Sequence, residues 1–305
     1  MTLEGLKYFL TKRHGWFFFL MSRGLTDSMS DERFLKASFR YSMDQELDLN
    51  NPKTFNQKLQ WLKLYDRKPL YTQMVDKYAV GELIAEKIGD EYSIPLVGGP
   101  WDRPEDIDFD ALPDQFVLKC THDSGGLVIC RDKAALDRDA VRAKLSKCLK
   151  RNYFWSKREW PYKDVPPRIL AEQYMQDGET KNLNVYKIFN FGGVPTLIQT
   201  IQNDKTKEES IDYFDTEWKL LDLRQNFPNS AVPLPKPQTL TEMLRLAAKL
   251  SEGFPFLRTD FYEINGRVYF SEFTFYSDSG FERFHPDEWD EKLGALIRLP
   301  GEKTT

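Results

Sequence analysis

Helical stripes of apolar residues dominate the first third of the chain, and alternating strands dominate the rest. Residues 51–65 (NPKTFNQKLQWLKLY) put Phe55, Leu59 and Leu62 on one face, with Thr54 as the cap. The pattern predicts one helix over 72–88, with Met74, Val75, Tyr78, Leu83 and Ile84 as its apolar set and Gly89 as its stop. A proline-rich loop holds Pro95, Pro100, Pro104 and Pro113. FVLKC (116–120) and LVIC (127–130) predict strands around the polar turn THDSGG, and residues 137–150 predict a helix through Val141, Leu145 and Leu149.

The basic, aromatic stretch 151–168 reads as irregular. Strands follow at 168–172, 185–191 and 196–201, with Gly192-Gly193 turning between the last two. Residues 228–237 read as a surface connection. A helix over 240–252 opens on a capping box, Thr239 to Glu242, and closes at Gly253. A hairpin spans 256–275, and a final helix from Pro286 turns Trp289, Leu293 and Ile297 inward. This mixture predicts an α+β fold with at least two lobes.

The hairpin FLRTDFYEINGRVYFSEFTF carries the sharpest chemistry. Side chains alternate faces, so loop length decides which residues meet. A two-residue loop at Asn265-Gly266 pairs Asp260 with Ser271 and turns Glu272 away. A three-residue loop pairs Arg258 with Glu272 and puts Arg258, Asp260, Tyr262, Glu272 and Thr274 on one face. Leu257, Phe261, Phe273 and Phe275 then share the other face, and this cleaner register is the expected one. Two carboxylates on one face suit Mg²⁺, which takes one or two carboxylates plus substrate phosphates. The plainer alternative is a surface ion pair, Arg258–Glu272.

Composition narrows the classes. The 305 residues permit two domains or one lobed one, and 41% hydrophobic content suffices for a core. With 43 Lys and Arg against 47 Asp and Glu, the net charge is −4, which argues against general nucleic-acid binding. The three cysteines (Cys120, Cys130, Cys148) form no CxxC pair and suit a reducing compartment; the expected location is the cytoplasm. The apolar run Trp16–Met21 is too short to span a membrane. With Leu3, Leu6, Phe9 and Leu10 it reads either as a helix packed on the body or as a surface helix in peripheral contact with membrane.

Lys119 ends a strand before His122, Asp123, Ser124, Gly125 and Gly126. Such a turn can cradle a phosphate with backbone N–H groups, though two glycines between strands are also ordinary. No Walker loop follows. Lys77 alone reads as a solvated helix charge.

Together these pieces fall in a known order. The stretches NPKTFNQKLQWLKLYDRKPLY, VDKYAV, LPDQFVLKCTHDSGG, REWPYKDV, RILAEQYM, FPFLRTDFYEINGRVYFSEFTF and SGF resemble the ATP-grasp ligases, within them the TupA-like group linked to teichuronopeptide and capsular-polysaccharide assembly. The resemblance implies an ATP-grasp fold: a helical region over 1–110, a small lobe with a phosphate-covering turn over 111–175, and a large lobe with a metal-binding hairpin over 176–305. It implies ATP and Mg²⁺ as cofactors. Lys77 and Lys119 would meet the phosphates under the turn His122, Ser124, Gly125 and Gly126. Glu172 and Met175 would read the adenine edge, and Asp260, Glu272 and Thr274 would take the metal. Arg258 would steady the transferring phosphoryl group, and Lys187 would contact phosphate or substrate carboxylate. The family usually has Asn where Thr274 stands. Its ribose-binding acid is missing before Tyr186, where Asn184 and Val185 stand, with Glu179 as a substitute. Its Pro-Gly acceptor loop is replaced by Tyr276–Gly280.

The implied activity is carboxylate–amine ligation through an acyl phosphate, joining an amino acid to a uronic acid of a cell-surface polysaccharide or its precursor. Trp155, Lys157, Arg158, Trp160 and Tyr162 could stack sugars there, or form a structural loop. Two rivals stand beside this reading. One is a glycosyltransferase using an Asp-x-Asp triplet (Asp106/Asp108, Asp108/Asp110 or Asp137/Asp139), and the other is a non-catalytic nucleotide-binding homologue.

Overall fold

Two antiparallel sheets organise the chain, whose computed structural model describes residues 15–123, 125–179, 183–204 and 206–301. Five helices come first: α1 (Gly15–Ser22), α2 (Asp31–Met43), α3 (Phe55–Tyr65), α4 (Pro69–Val75) and α5 (Val80–Lys87). The small sheet contains β1 (Leu96–Trp101), β2 (Phe116–Cys120), β3 (Leu127–Cys130) and β4 (Ile169–Gln173), in the order β1-β4-β2-β3. Helix α6 (Arg138–Leu149) covers its outer face. The large sheet contains β5 (Val185–Phe191), β6 (Val194–Gln202), β7 (Ser210–Asp215), β8 (Phe256–Ile264) and β9 (Arg267–Thr274), in the order β7-β6-β5-β8-β9. Helix α7 (Leu240–Ser251) lies against β8, β5 and β6, and helix α8 (Glu288–Leu296) packs on α3. The expected α+β class holds, as do most of the expected strands. β1 falls in the stretch read as loop, and β7 was not anticipated.

Local chemistry explains the boundaries. Thr54 accepts from the Gln57 amide and Gln57 returns the bond to the Thr54 amide, a full capping box that starts α3. The single helix expected over 72–88 is two helices. Asp76 breaks it: Oδ1 accepts from the amides of Tyr78 (2.9 Å) and Ala79 (3.2 Å), and Oδ2 accepts from Arg168 (2.8 Å). The Lys77 amide turns away to the Thr121 carbonyl at 3.2 Å, so Lys77 sits on an elbow instead of a helix face. The capping box expected at Thr239 does not form. Its amide and hydroxyl both donate to Glu263 across the fold, at 2.8 and 2.5 Å.

The hairpin register differs from the expected one. Asn265-Gly266 forms a two-residue turn with both residues left-handed (φ 53° and 71°), and Ile264 faces Arg267. Phe261 faces Phe270, but Asp260 faces Glu272, so Ser271 is an extra residue in β9. That bulge undoes the inversion a two-residue turn would otherwise impose. Arg258, Asp260, Tyr262, Glu272 and Thr274 therefore share a face after all. Thr259, Phe261 and Phe273 are buried on the other.

The stretch 151–168, expected to be irregular, holds one helical turn (Phe154–Lys157) and a 3-10 turn (Trp160–Tyr162), and buried side chains anchor it to the fold. Arg158 is fully buried, 4.4 Å from the Phe34 ring centre and 4.6 Å from that of Trp155, and donates to the Thr26 carbonyl at 3.0 Å. Among the described residues no helix is long and apolar enough to cross a membrane. The Leu3, Leu6, Phe9 and Leu10 stripe lies outside the described residues, as does Ser124.

Candidate active site

Alternation along β2 builds the roof of the interlobe cleft. Phe116, Leu118 and Cys120 point into the small core with Val141 and Leu145 of α6, so Val117 and Lys119 point the other way. Their cross-strand partners Leu127 and Ile129 on β3, and Glu172 on β4, share that face. Val117, Leu127, Ile129, Met175, Leu183 and Tyr262 line the apolar part of a cavity of about 280 Å³, and Lys119, Glu172, Arg131 and Gln176 line its polar part. Beyond that pair a second cavity of about 580 Å³ is lined by Lys77, the first turn of α5, Lys119, Glu172 and Ser271.

Lys119 and Glu172 form a close ion pair between the two cavities. Burial lowers the Lys119 pKa, but Glu172, Tyr262 and Glu272 together outweigh it and hold the ammonium above its ordinary value. Lys77 donates to the Asp123 carbonyl at 2.7 Å from its elbow. Burial lowers its pKa, opposed by the charges of Glu272, Asp123 and Glu172. Both lysines thus lie within electrostatic reach of Glu272 on the opposite lobe.

The floor is one row of direct cross-strand partners on the inner face of the large sheet: Tyr213, Gln199, Lys187, Asp260 and Glu272. At about 4.8 Å per strand the row spans roughly 19 Å. Arg258 holds Asp260 with two hydrogen bonds of 2.8 Å each and lies 3.7 Å from Glu272. Burial lowers the Arg258 pKa, yet Asp260, Glu272 and Asp278 together more than offset it and the net direction is up. Lys187 is lowered by burial and by Arg258, against the pull of Asp260 and Glu272. At the far end Tyr213 accepts from Gln199 (2.6 Å) and donates to Gln225.

The residues present fit a magnesium nucleotide. Asp260 and Glu272 offer hard oxygen ligands side by side. Among the described residues no cluster of three or more His, Cys, Asp or Glu could cage a metal unaided. Such a pair suits Mg²⁺ that completes its shell with phosphates and water. Thr274 lies one pair further along, opposite Arg258. Lys77 and Lys119 supply the opposing cations.

Other expected site residues sit differently. His122 is buried, and its Nε2 donates to the carbonyls of Cys148 (3.2 Å) and Arg151 (3.0 Å), so the ring braces α6 and not the cleft. Gly126 is packed: a Cβ there would come within 3.2 Å of the Sγ atoms of Cys120 and Cys148. Gly125 is exposed at φ 105° with open space about it. Glu179 lines a separate recess with Asn184, Tyr186 and Glu263. Each Asp-x-Asp triplet is taken up locally: Asp106 pairs with Arg103, Asp108 caps a turn, Asp110 pairs with Arg138, and Asp137 caps α6. Sequence reasoning missed Asp76, Arg168, Gln199 and Tyr213. The last two were legible as inward positions of β6 and β7, had β7 been recognised.

The family model described as TupA-like ATPgrasp matches residues 57–298. No curated protein matches the sequence. Among solved structures, the D-alanine–D-alanine ligase from Bacillus anthracis complexed with ATP is 15% identical, with 66% of this chain and 54% of that chain covered and a TM-score of 0.38. The D-alanine–D-alanine ligase from Helicobacter pylori is 15% identical, with 80% and 69% covered and a TM-score of 0.43. The biotin carboxylase domain of 2-oxoglutarate carboxylase from Hydrogenobacter thermophilus, with MgADP and bicarbonate, is 17% identical, with 75% and 47% covered and a TM-score of 0.42. The chain spans about half the length of the first and third of these.

Proposed function

The chain belongs to the TupA-like ATP-grasp family, and on that premise we propose that it is an ATP- and Mg²⁺-dependent carboxylate–amine ligase. The observation that carries the reading is that Lys77 and Lys119, beside the small sheet, both feel the charge of Glu272, the cross-strand partner of Asp260 in the large sheet. A ligase of this kind must gather several negative charges and hold them in line. In this reading the residues around Met175 would hold the adenine, and Lys119 and Lys77 would hold the phosphates. Asp260 and Glu272 would hold the metal, which would supply charge neutralisation at the phosphates. Arg258 and Lys187 orient the substrate carboxylate for in-line attack on the γ-phosphorus. That attack releases ADP and leaves an acyl phosphate, which an amine converts to an amide. Near-ideal alignment of bound reactants can supply roughly 7–11 kcal/mol of barrier reduction. The substrate pair we favour is a uronic acid of a cell-surface polysaccharide or its precursor and an amino acid, with the reaction in the cytoplasm.

Two measurements test the reading. ATP with Mg²⁺ is expected to raise the melting temperature of the wild-type chain but not of the Asp260→Asn/Glu272→Gln double variant. Uronic acids, amino acids and ATP together are expected to yield ADP and a mass-resolved amide. ATP-independent consumption of a nucleotide sugar would instead favour glycosyl transfer, and no ATP-induced shift would favour a non-catalytic homologue.

A further inference from the structure

The segment after the metal hairpin holds an unusual conformation. Asp278, Ser279 and Gly280 are successive residues in the left-handed region, at φ 49°, 56° and 65°. Two of the three are not glycine, and such a run persists only where its surroundings fix it. Buried side chains do so here. Gln60 donates to the carbonyls of Ser279 (3.0 Å) and Gly280 (2.7 Å), Lys63 donates to the Ser279 carbonyl (2.8 Å), and Glu159 accepts from the Ser279 hydroxyl (2.5 Å).

From Phe275 to Phe281 every residue is buried except Asp278, which is exposed. Its carboxylate accepts from the Ser277 hydroxyl (3.3 Å), which accepts in turn from Arg258 (3.3 Å). Lys187, Arg258, Tyr213 and Glu282 all feel its charge. The strained turn therefore presents one exposed carboxylate that Ser277 links to Arg258 and whose charge reaches Lys187 on the floor row.

The geometry points to Asp278 as the group that receives the amine substrate: it binds the incoming ammonium ion and takes its proton. This inference rests on the ligase reading above. The amine gives one proton to the Asp278 carboxylate. The freed lone pair attacks the acyl-phosphate carbonyl carbon, and the carbon–oxygen bond to phosphate breaks with its electron pair on the leaving oxygen. The second nitrogen proton leaves with the phosphate. Lys187 and Arg258 hold the acyl phosphate, and the Arg258 guanidinium has no site for that first proton.

Hydroxylamine separates the two halves of the reaction. It is uncharged at neutral pH and captures an acyl phosphate without needing a carboxylate to bind or deprotonate it. The wild-type chain and the variants Asp278→Asn and Asp278→Gly are compared with ATP, Mg²⁺ and D-glucuronate or D-galacturonate. Each takes either hydroxylamine or one of L-alanine, L-glutamate and L-lysine. Asparagine and glycine both accept the left-handed conformation, so both variants should fold. The expected result is a split: hydroxamate formation within threefold of wild type, and amide formation down at least thirtyfold, mainly through the amine KM. Parallel loss of both products, or loss of neither, overturns the assignment of Asp278 while leaving the ligase reading intact. A wild-type chain that makes neither ADP nor hydroxamate overturns the ligase reading and this inference with it.

Discussion

Arg258 grips both carboxylate oxygens of Asp260, each at 2.8 Å, in a site where the two side chains are 7% and 1% exposed. A buried pair of this kind is expensive to break on one side alone, because the survivor keeps its charge without a partner. Arg258→Met is expected to destabilise the ligand-free chain by about 3–5 kcal/mol. The double variant Arg258→Met/Asp260→Leu should recover most of that loss. Urea denaturation of the single and double variants checks both; equal stability of the two would show that the pair is not coupled.

Lys119 is expected to dominate nucleotide affinity. A charge-assisted hydrogen bond contributes about 1.5–3 kcal/mol, so Lys119→Met should weaken MgATP binding roughly 10- to 150-fold by calorimetry. Lys77→Met should act in the same direction. A change below threefold in either would remove that lysine from the phosphate path.

Gly280 packs against its own anchor. A Cβ there would sit 2.4 Å from Gln60 Nε2 and 3.0 Å from Leu59 Cβ, at a φ of 65°. Gly280→Ala should expel the Gln60 amide and leave the buried Gly280 carbonyl unpaired, at about 1–3 kcal/mol, while Lys63 keeps its bond to the Ser279 carbonyl. A fall in melting temperature, accompanied by faster hydrogen exchange confined to residues 277–281, is the expected signature.

Glu282 should give the chain a pH-dependent weakness. Burial and the neighbouring Asp278 push its pKa from 4.5 up to about 7, while the Asn226 amide and Lys157 oppose the shift. The folded state thus holds this proton more tightly than the unfolded one. Its contribution favours folding below pH 4.5, fades between 4.5 and about 7, and is gone above that. Glu282→Gln should therefore gain on the wild type as pH rises from 5 to 7.5, by on the order of 1 kcal/mol for a half-buried group. Denaturation curves at several pH values would show a constant difference if the idea is wrong.

Much of the fold was legible because apolar and polar residues alternate cleanly in β2 and in the first half of β5. The ends of α3 and the Gly192-Gly193 turn were legible from their own residues. What escaped depended on partners distant in sequence. Asp76 splits a helix because Arg168 and Thr121 wait across the fold. Thr239 spends its hydroxyl on Glu263. The bulge at Ser271 is the clearest case. Face sharing by Asp260 and Glu272 was expected, but through a longer turn, because alternation alone cannot tell an extra loop residue from an extra strand residue. His122 looked like a phosphate donor by position, and only the fold reveals the carbonyls of Cys148 and Arg151 that claim it.

The Lys119–Glu172 bridge implies that arrival of a nucleotide is an exchange of partners, not the filling of a bare positive hole. Glu172 already plays the anion, so a lone weak anion gains little by displacing it. A polyphosphate that also engages Lys77 and the floor carboxylates through its metal has enough contacts to do so. Selectivity for the triphosphate over orthophosphate would then come from a tenant that the smaller ion cannot evict.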